Sequence, residues 1–126
     1  MLAIVVGLAC FGFAATANAG KTLSLVCFPN DHPRYCAGIF LSHHRINLRL
    51  GSFSFKGHYH LCVRDPDRDT TCRVFKLSRF CNCSIKDWKR NFPHALPGVY
   101  HVQWKRKGHR LTPQMHFTKP PPPSGA

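Results

Sequence analysis

Apolar and polar residues alternate along several short stretches of the chain, and this two-residue period predicts β-strands. The clearest stretch is residues 45–50, where Ile46, Leu48 and Leu50 lie on one face and polar side chains on the other. Phe53 and Phe55 resume the alternation after an interruption at residues 51–52. The predicted strands are residues 22–28, 45–50, 53–57, 58–64, 71–77, 99–105 and 111–117.

Two stretches lack a clean period. Residues 32–44 read as a loop, and residues 78–95 as a loop with one short helical turn. No segment has the apolar period of an amphipathic helix, so a parallel α/β fold lacks the helices that it would need. The pattern therefore favours an all-β antiparallel sandwich or small barrel.

The amino-terminal segment has the pattern of an export signal. Residues 2–15 carry no charge and are mostly apolar, and they lead into the small-x-small triplet Ala17-Asn18-Ala19. The apolar run is shorter than the roughly 20 residues that a membrane-spanning helix needs. We therefore expect a signal peptide at residues 1–19, a secreted β domain at residues 20–119 and an extended, disordered proline-rich tail at residues 120–126.

Cysteine usage agrees with secretion. One of the seven cysteines, Cys10, leaves with the signal peptide, and an even set of six remains in the exported chain, where disulfides are expected. Cys62 and Cys72 flank a polar turn at positions that face each other across an antiparallel pair, so this is the first pairing that we predict. The six cysteines are Cys27, Cys36, Cys62, Cys72, Cys81 and Cys83.

Two parts of the sequence resemble a small exported bacterial immunoglobulin-like domain. One is the cysteine-bearing hairpin at residues 61–77. The other has a Pro-Gly turn at residues 97–98, a Tyr-x-Val-x-Trp strand at residues 100–104, a glycine turn and a strand that ends in Phe117. The resemblance covers about the carboxy-terminal half of the mature chain and implies an immunoglobulin-like sandwich outside the cytoplasm. The resemblance implies no particular activity, because proteins of this fold have many different functions.

Charge gives the strongest indication of function. The chain has 18 Lys and Arg against five acids and a net charge of +13, and all five acids are Asp, which excludes chemistry that depends on glutamate. Such a charge produces a potential of several kT over the surface. We expect a binding module for an acidic polymer, an anionic surface or an acidic protein. The basic residues predicted to form the binding surface are Arg45, Arg49, Lys86, Lys89, Arg90, Lys105, Arg106, Lys107 and Arg110.

Other interpretations of the charge stay open. It could serve solubility alone, or belong to a cationic defence protein that damages anionic membranes. A small phosphodiester hydrolase would need two histidines and a cation around a phosphate, and the chain has many of both. No nucleophile motif is present, and the thiols are expected to be oxidised. We therefore do not expect an enzyme.

Histidine content raises the question of a metal. The chain has nine histidines, and His58 and His60 lie on one face of a predicted strand, where they could ligate zinc or copper. Export disfavours the free thiolates of a Cys2His2 site, and acidic ligands are few. We expect no metal site and no cofactor, and we expect a monomer.

Overall fold

Nine β-strands and one short helix form residues 21–120, which are the residues described by the computed structural model. The predicted signal peptide and the predicted tail beyond Pro120 lie outside the described residues. The elements are β1 (Lys21–Phe28), β2 (Tyr35–Ser42), β3 (Arg45–Ser52), β4 (His58–Arg64), β5 (Thr70–Lys76), β6 (Cys83–Asp87), α1 (Trp88–Asn91), β7 (Gly98–Arg106), β8 (His109–Arg110) and β9 (Met115–Lys119).

The strands form two antiparallel sheets packed as a sandwich. The first sheet has the order β1-β2-β3-β6, and the second has the order β5-β4-β7, with β8 and β9 both pairing with the free edge of β7. Every pairing is antiparallel. The chain crosses between the sheets after β3, after β5 and after α1. The predicted all-β antiparallel sandwich is confirmed at this level.

The core lies between the sheets and consists of the apolar residues that the alternation places on inward faces. Three strands supply three residues each to the core, and every one of these inward side chains is at most 3% exposed. Burial of such side chains is the main favourable contribution to folding, at about 1.5–3 kcal/mol each. These residues are Ile46, Leu48 and Leu50 of β3, Tyr59, Leu61 and Val63 of β4, and Tyr100, Val102 and Trp104 of β7.

The prediction of a loop at residues 32–44 is wrong, because β2 occupies most of it. β2 is paired on both edges and buried along nearly its whole length, so its sequence is a continuous apolar run without alternation. On its outer face the Phe40 ring lies over Gly38, where a Cβ atom would meet the ring. A strand that is buried on both faces is apolar at nearly every position and has no two-residue period. The strand predictions depended on that period, so β2 was missed.

Two smaller predictions are also corrected. Residues 51–52 continue β3 instead of interrupting it, and residues 53–57 are the crossing to the second sheet instead of a strand. The hydroxyl oxygen of Ser52 accepts hydrogen bonds from the backbone amides of Ser54 and Phe55 and so turns the chain. Asn82, with φ 55°, donates its amide to the carbonyls of Ser52 and Phe55. Side chains therefore satisfy backbone groups here in place of a strand partner.

The stretch predicted as a loop with one helical turn holds both a strand and that turn. β6 pairs with β3 and completes the first sheet, and α1 follows at once. Asp87 caps α1 by accepting a hydrogen bond from the backbone amide of Arg90 at 3.2 Å. The cap turns Trp88 into the core, where its ring lies 4.9 Å from the rings of Tyr100 and Phe117.

Three disulfides join all six cysteines of the described chain. Cys62–Cys72 links β4 to β5 as predicted, since the two residues are direct partners in the register. Cys27–Cys36 links β1 to β2 in the same way. Cys81 and Cys83 bond to each other across a single residue at the start of β6.

Candidate functional site

The nine predicted cationic residues do not lie on one surface. Three of them cover aromatic rings, with the charged group 4.4–4.9 Å from the ring centroid. Such contacts contribute about 0.5–1 kcal/mol where the pair is exposed. A cation that covers a ring therefore has a structural role and needs no ligand to explain its presence. The pairs are Arg49 over Phe40, Lys86 over Phe75 and Arg106 over Phe55.

Four others lie at the two ends of the sandwich. Lys89 and Arg90 are exposed on α1, and Lys107 is exposed in the β7–β8 turn. Arg45, at the start of β3, donates to Asp87 at 2.8 Å in the one ion pair found within residues 21–120. Burial opposes ionisation of Asp87, yet hydrogen bonds from Arg45 and the α1 amides hold its pKa below the ordinary value.

The remaining two residues belong to a cationic row on the outer face of the second sheet. Lys105 pairs with Arg110 of β8 on one side and with His60 of β4 on the other. Residues that are direct cross-strand partners point to the same face, with Cβ atoms about 4.5–5.5 Å apart. The row therefore presents one imidazole, one ammonium and one guanidinium side by side.

A second row runs parallel to the first. His101 of β7 pairs with Arg64 of β4 and with His116 of β9, and the two imidazole rings lie 6.2 Å apart. Four residues separate the rows along β7, which corresponds to about 13 Å at 3.3 Å per residue. We call the two rows together the cationic face. Its residues are His60, Arg64, His101, Lys105, Arg110 and His116.

A shallow hollow of about 110 Å³ lies between the rows. It is lined by Cys62, Gln103 and the cationic residues Arg64, Lys105 and Arg110, among others. Gln103 is 5% exposed, and its amide nitrogen donates to the Thr112 carbonyl at 2.7 Å. That bond fixes the side chain, and its oxygen is buried without a hydrogen-bond partner among the described residues.

The electrostatics of the face are uniformly positive along the strands. None of β4, β5, β7, β8 and β9 contains an acidic residue. Three aspartates lie in the β4–β5 turn at one end, at positions 65, 67 and 69. Burial, together with repulsion from Arg64 and His116, lowers the pKa of His101 below its ordinary value. His101 therefore resists adding its own charge to the face.

Sequence reasoning missed Arg64, His101 and His116, and it considered His60 only as a metal ligand. Each lies at a polar position of a predicted strand, so its outward direction was readable. What the sequence lacked was the pairing of β4 with β7, which are far apart along the chain. His58 and His60 share a strand face, and no three His, Cys, Asp or Glu side chains within residues 21–120 are grouped to hold a metal ion.

No helix in the described part of the chain is both long and apolar enough to cross a membrane. No protein-family model, curated protein or solved structure matches the sequence or the fold. The arrangement of the site itself must therefore carry any statement about function.

Proposed function

We propose that this protein is a secreted, immunoglobulin-like binding module that recognises an acidic polymer through the cationic face. The observation that carries the proposal is the pair of cationic rows, which lie on one sheet surface whose strands contain no carboxylate. Opposed like charges in neighbouring strands destabilise a sheet, so a bound anion would relieve a cost that the fold otherwise bears.

The geometry favours a polymer over a small molecule. The hollow of about 110 Å³ is small for a ligand pocket, since such pockets are usually about 300–1,000 Å³. Two rows about 13 Å apart suit a chain that carries anions at repeated intervals. The cationic side chains are exposed or half-buried, so each contact would be weak, and affinity would come from their number and would fall with salt.

The connectivity supports the immunoglobulin-like part of the proposal. The order β5-β4-β7-β9 corresponds to strands C′, C, F and G of that fold, and β2-β3-β6 corresponds to A, B and E. The Tyr100 hydroxyl donates to the Leu96 carbonyl at 2.6 Å, four residues upstream on the approach to β7. A tyrosine bonded in this way at the start of strand F is a hallmark of immunoglobulin-like sandwiches. Here β1 adds a further edge strand.

Secretion is supported by the disulfides and by the export pattern of residues 1–19. All six cysteines of the described chain are paired, and disulfides persist in oxidising compartments. A basic extracellular domain would meet sulfated or phosphorylated polymers at cell surfaces, and its charge would accelerate the encounter.

Salt-dependent binding tests the proposal. We expect the oxidised protein to bind heparin and a single-stranded oligonucleotide, and to ignore uncharged dextran. Lys105→Gln/Arg110→Gln should weaken the binding at least about tenfold at physiological salt and flatten its salt dependence by about two counterions. Lys56→Gln/Arg79→Gln removes the same charge from an exposed region elsewhere and is the control.

Equal losses from the two double variants would reduce the binding to general polyelectrolyte attraction and would overturn the proposal. Leakage of anionic vesicles at the concentrations that bind polymer would instead favour a membrane-active defence protein. Retention of one polymer at physiological salt, lost only in Lys105→Gln/Arg110→Gln, would support a specific site.

One observation favours phosphodiester cleavage as a second candidate function. The imidazoles of His101 and His116 lie 6.2 Å apart beside Arg64. Neutral His101 would take the proton of an RNA 2′-hydroxyl, whose oxygen attacks phosphorus, while protonated His116 would give its proton to the departing 5′-oxygen. The product would be a cyclic phosphate. RNA cleavage that His101→Ala abolishes would support this activity, and intact RNA after prolonged incubation would exclude it.

A further inference from the structure

A second cationic pocket lies apart from the cationic face, at the end of the sandwich where α1 meets the β2–β3 turn and the end of β9. Its volume is about 250 Å³, and it shares no lining residue with the hollow between the rows. Its apolar wall is formed by Ile46, Trp88 and Pro120. The pocket is more than twice the volume of the hollow, so a small apolar group and a charged group fit in it together.

Charge is concentrated around this apolar wall. Arg45, Lys89 and Lys119 line the pocket together with the imidazoles of His44 and His94, and no acidic residue lines it. Arg45 is bonded to the carboxylate of Asp87 at 2.8 Å. Three cations line the pocket, and Asp87 neutralises one of them. About two positive charges remain, without counting either histidine.

One hydrogen-bond donor is fixed beside the wall. The Lys119 ammonium donates to the His94 carbonyl, which ties the end of β9 to the loop after α1 and leaves the ammonium further protons. The Trp88 indole nitrogen is buried without a hydrogen-bond partner among the described residues. Trp88 therefore offers the pocket ring surface, and not this N–H.

We propose that this pocket binds a small organic phosphate monoester whose apolar ring packs against Trp88 and whose phosphate meets Arg45, Lys89 and Lys119. A phosphate monoester carries about −1.5 to −2 charge at pH 7, which matches the charge of the pocket. Inorganic phosphate would leave the apolar wall uncovered. A carboxylate ligand would carry only about half the negative charge of the phosphate monoester. This site is independent of the polymer-binding proposal, since neither uses the residues of the other.

Titration with phenyl phosphate tests the site. We expect saturable binding to the oxidised protein at about 1 mM or tighter in physiological salt, detected by calorimetry and by a change in Trp88 fluorescence in the Trp104→Phe background. Phenol, benzoate and inorganic phosphate each lack one feature of the probe and should bind at least about tenfold more weakly.

The exposed residue Lys89 provides the variant least able to disturb folding. Lys89→Gln should weaken phenyl phosphate binding about tenfold, and Lys107→Gln, an equal charge loss in the β7–β8 turn, should leave it unchanged. The Lys105→Gln/Arg110→Gln variant should also retain it. Absence of saturable binding, equal binding of phenol, or equal losses in Lys89→Gln and Lys107→Gln would each overturn the proposal.

Discussion

Cationic side chains in this protein differ in what lies beneath them, and that difference separates structural cations from the candidate binding residues. Arg49 covers Phe40 and is 8% exposed, so its charge is largely withdrawn from the surface. Burial lowers the pKa of Arg49, which has no effect on its charge at neutral pH. Lys105 and Arg110 stand beside one another on a sheet face instead, where their charges are available to a ligand.

His101 should give the fold and its binding opposite responses to acid. Its pKa is lowered in the folded state, so the unfolded chain binds its proton first as pH falls through about 6.5. The contribution of His101 to stability is therefore present above that pH and lost below it. The groups that face it are Arg64 and His116, both of which disfavour its charge.

Urea unfolding at pH 7 and pH 5 measures this effect. We expect His101→Gln to lose less stability between the two pH values than the unaltered protein does, while His32→Gln, an exposed residue of the β1–β2 turn, should behave like the unaltered protein. Heparin binding should tighten more between pH 7 and pH 5 in the unaltered protein than in His101→Gln. The same loss in both variants would contradict the assignment.

At the scale of elements, turns and crosslinks fix the strands that carry the sites. The β2–β3 turn consists of His43 and His44, with φ of 51° and 63°. A two-residue hairpin turn of this type requires positive φ at both positions and favours Asn-Gly. His44 is also part of the pocket wall. The turn thus holds an imidazole at the proposed phosphate site in a backbone conformation that histidine adopts at a cost.

Replacing this turn should separate stability from binding. His43→Asn/His44→Gly should raise the free energy of unfolding by about 1 kcal/mol, since the left-handed conformation costs other residues about 1–2 kcal/mol. The change corresponds to about 4–8 °C in Tm for a domain of this size. Calorimetry should record weaker phenyl phosphate binding in the same variant. A lower Tm would show that the histidines stabilise the turn.

The three disulfides should not stabilise the fold equally, because Cys27–Cys36 and Cys62–Cys72 close longer loops than Cys81–Cys83. Cys62 and Cys72 are separated by 10 residues and Cys81 and Cys83 by two. Loop-closure entropy predicts a loss of about 3 kcal/mol for Cys62→Ala/Cys72→Ala and about 1 kcal/mol for Cys81→Ala/Cys83→Ala. Denaturant unfolding of the two variants measures both values. Equal losses would mean that native contacts, and not chain entropy, dominate.

At the scale of the whole molecule, charge sets how copies of the protein meet. The net charge of +13 repels one copy from another. The first sheet nevertheless has an outer row in which Leu25 and Ile85 are 39% and 47% exposed on either side of Gly38 and Arg49. This small apolar patch is a surface on which two copies would associate if charge did not keep them apart.

We expect repulsion to prevail and the protein to be a monomer. Sedimentation equilibrium at physiological salt should give the mass of one chain, and higher salt should leave that mass unchanged. A dimer that appears only as salt rises would show that charge alone prevents association. If so, Leu25→Lys should restore the monomer, and Val74→Lys, an exposed residue of the second sheet, should not.

The alternation of residues was enough to predict most strands, the inward side chains of β3, β4 and β7, and the Cys62–Cys72 bond, because each depends on positions close together in the chain. Composition alone determined the strong positive charge. β2 escaped this reasoning because a strand buried on both faces has no alternation to read.

Only the tertiary structure decided which cations lie together. Strand pairing unites Arg64, His101 and His116 across more than fifty residues of sequence, and sheet packing brings His44, Trp88 and Lys119 around one pocket. Periodicity determines which way a side chain points within its own strand. It carries no information on which strand lies next to it, and both proposed sites depend on those neighbours.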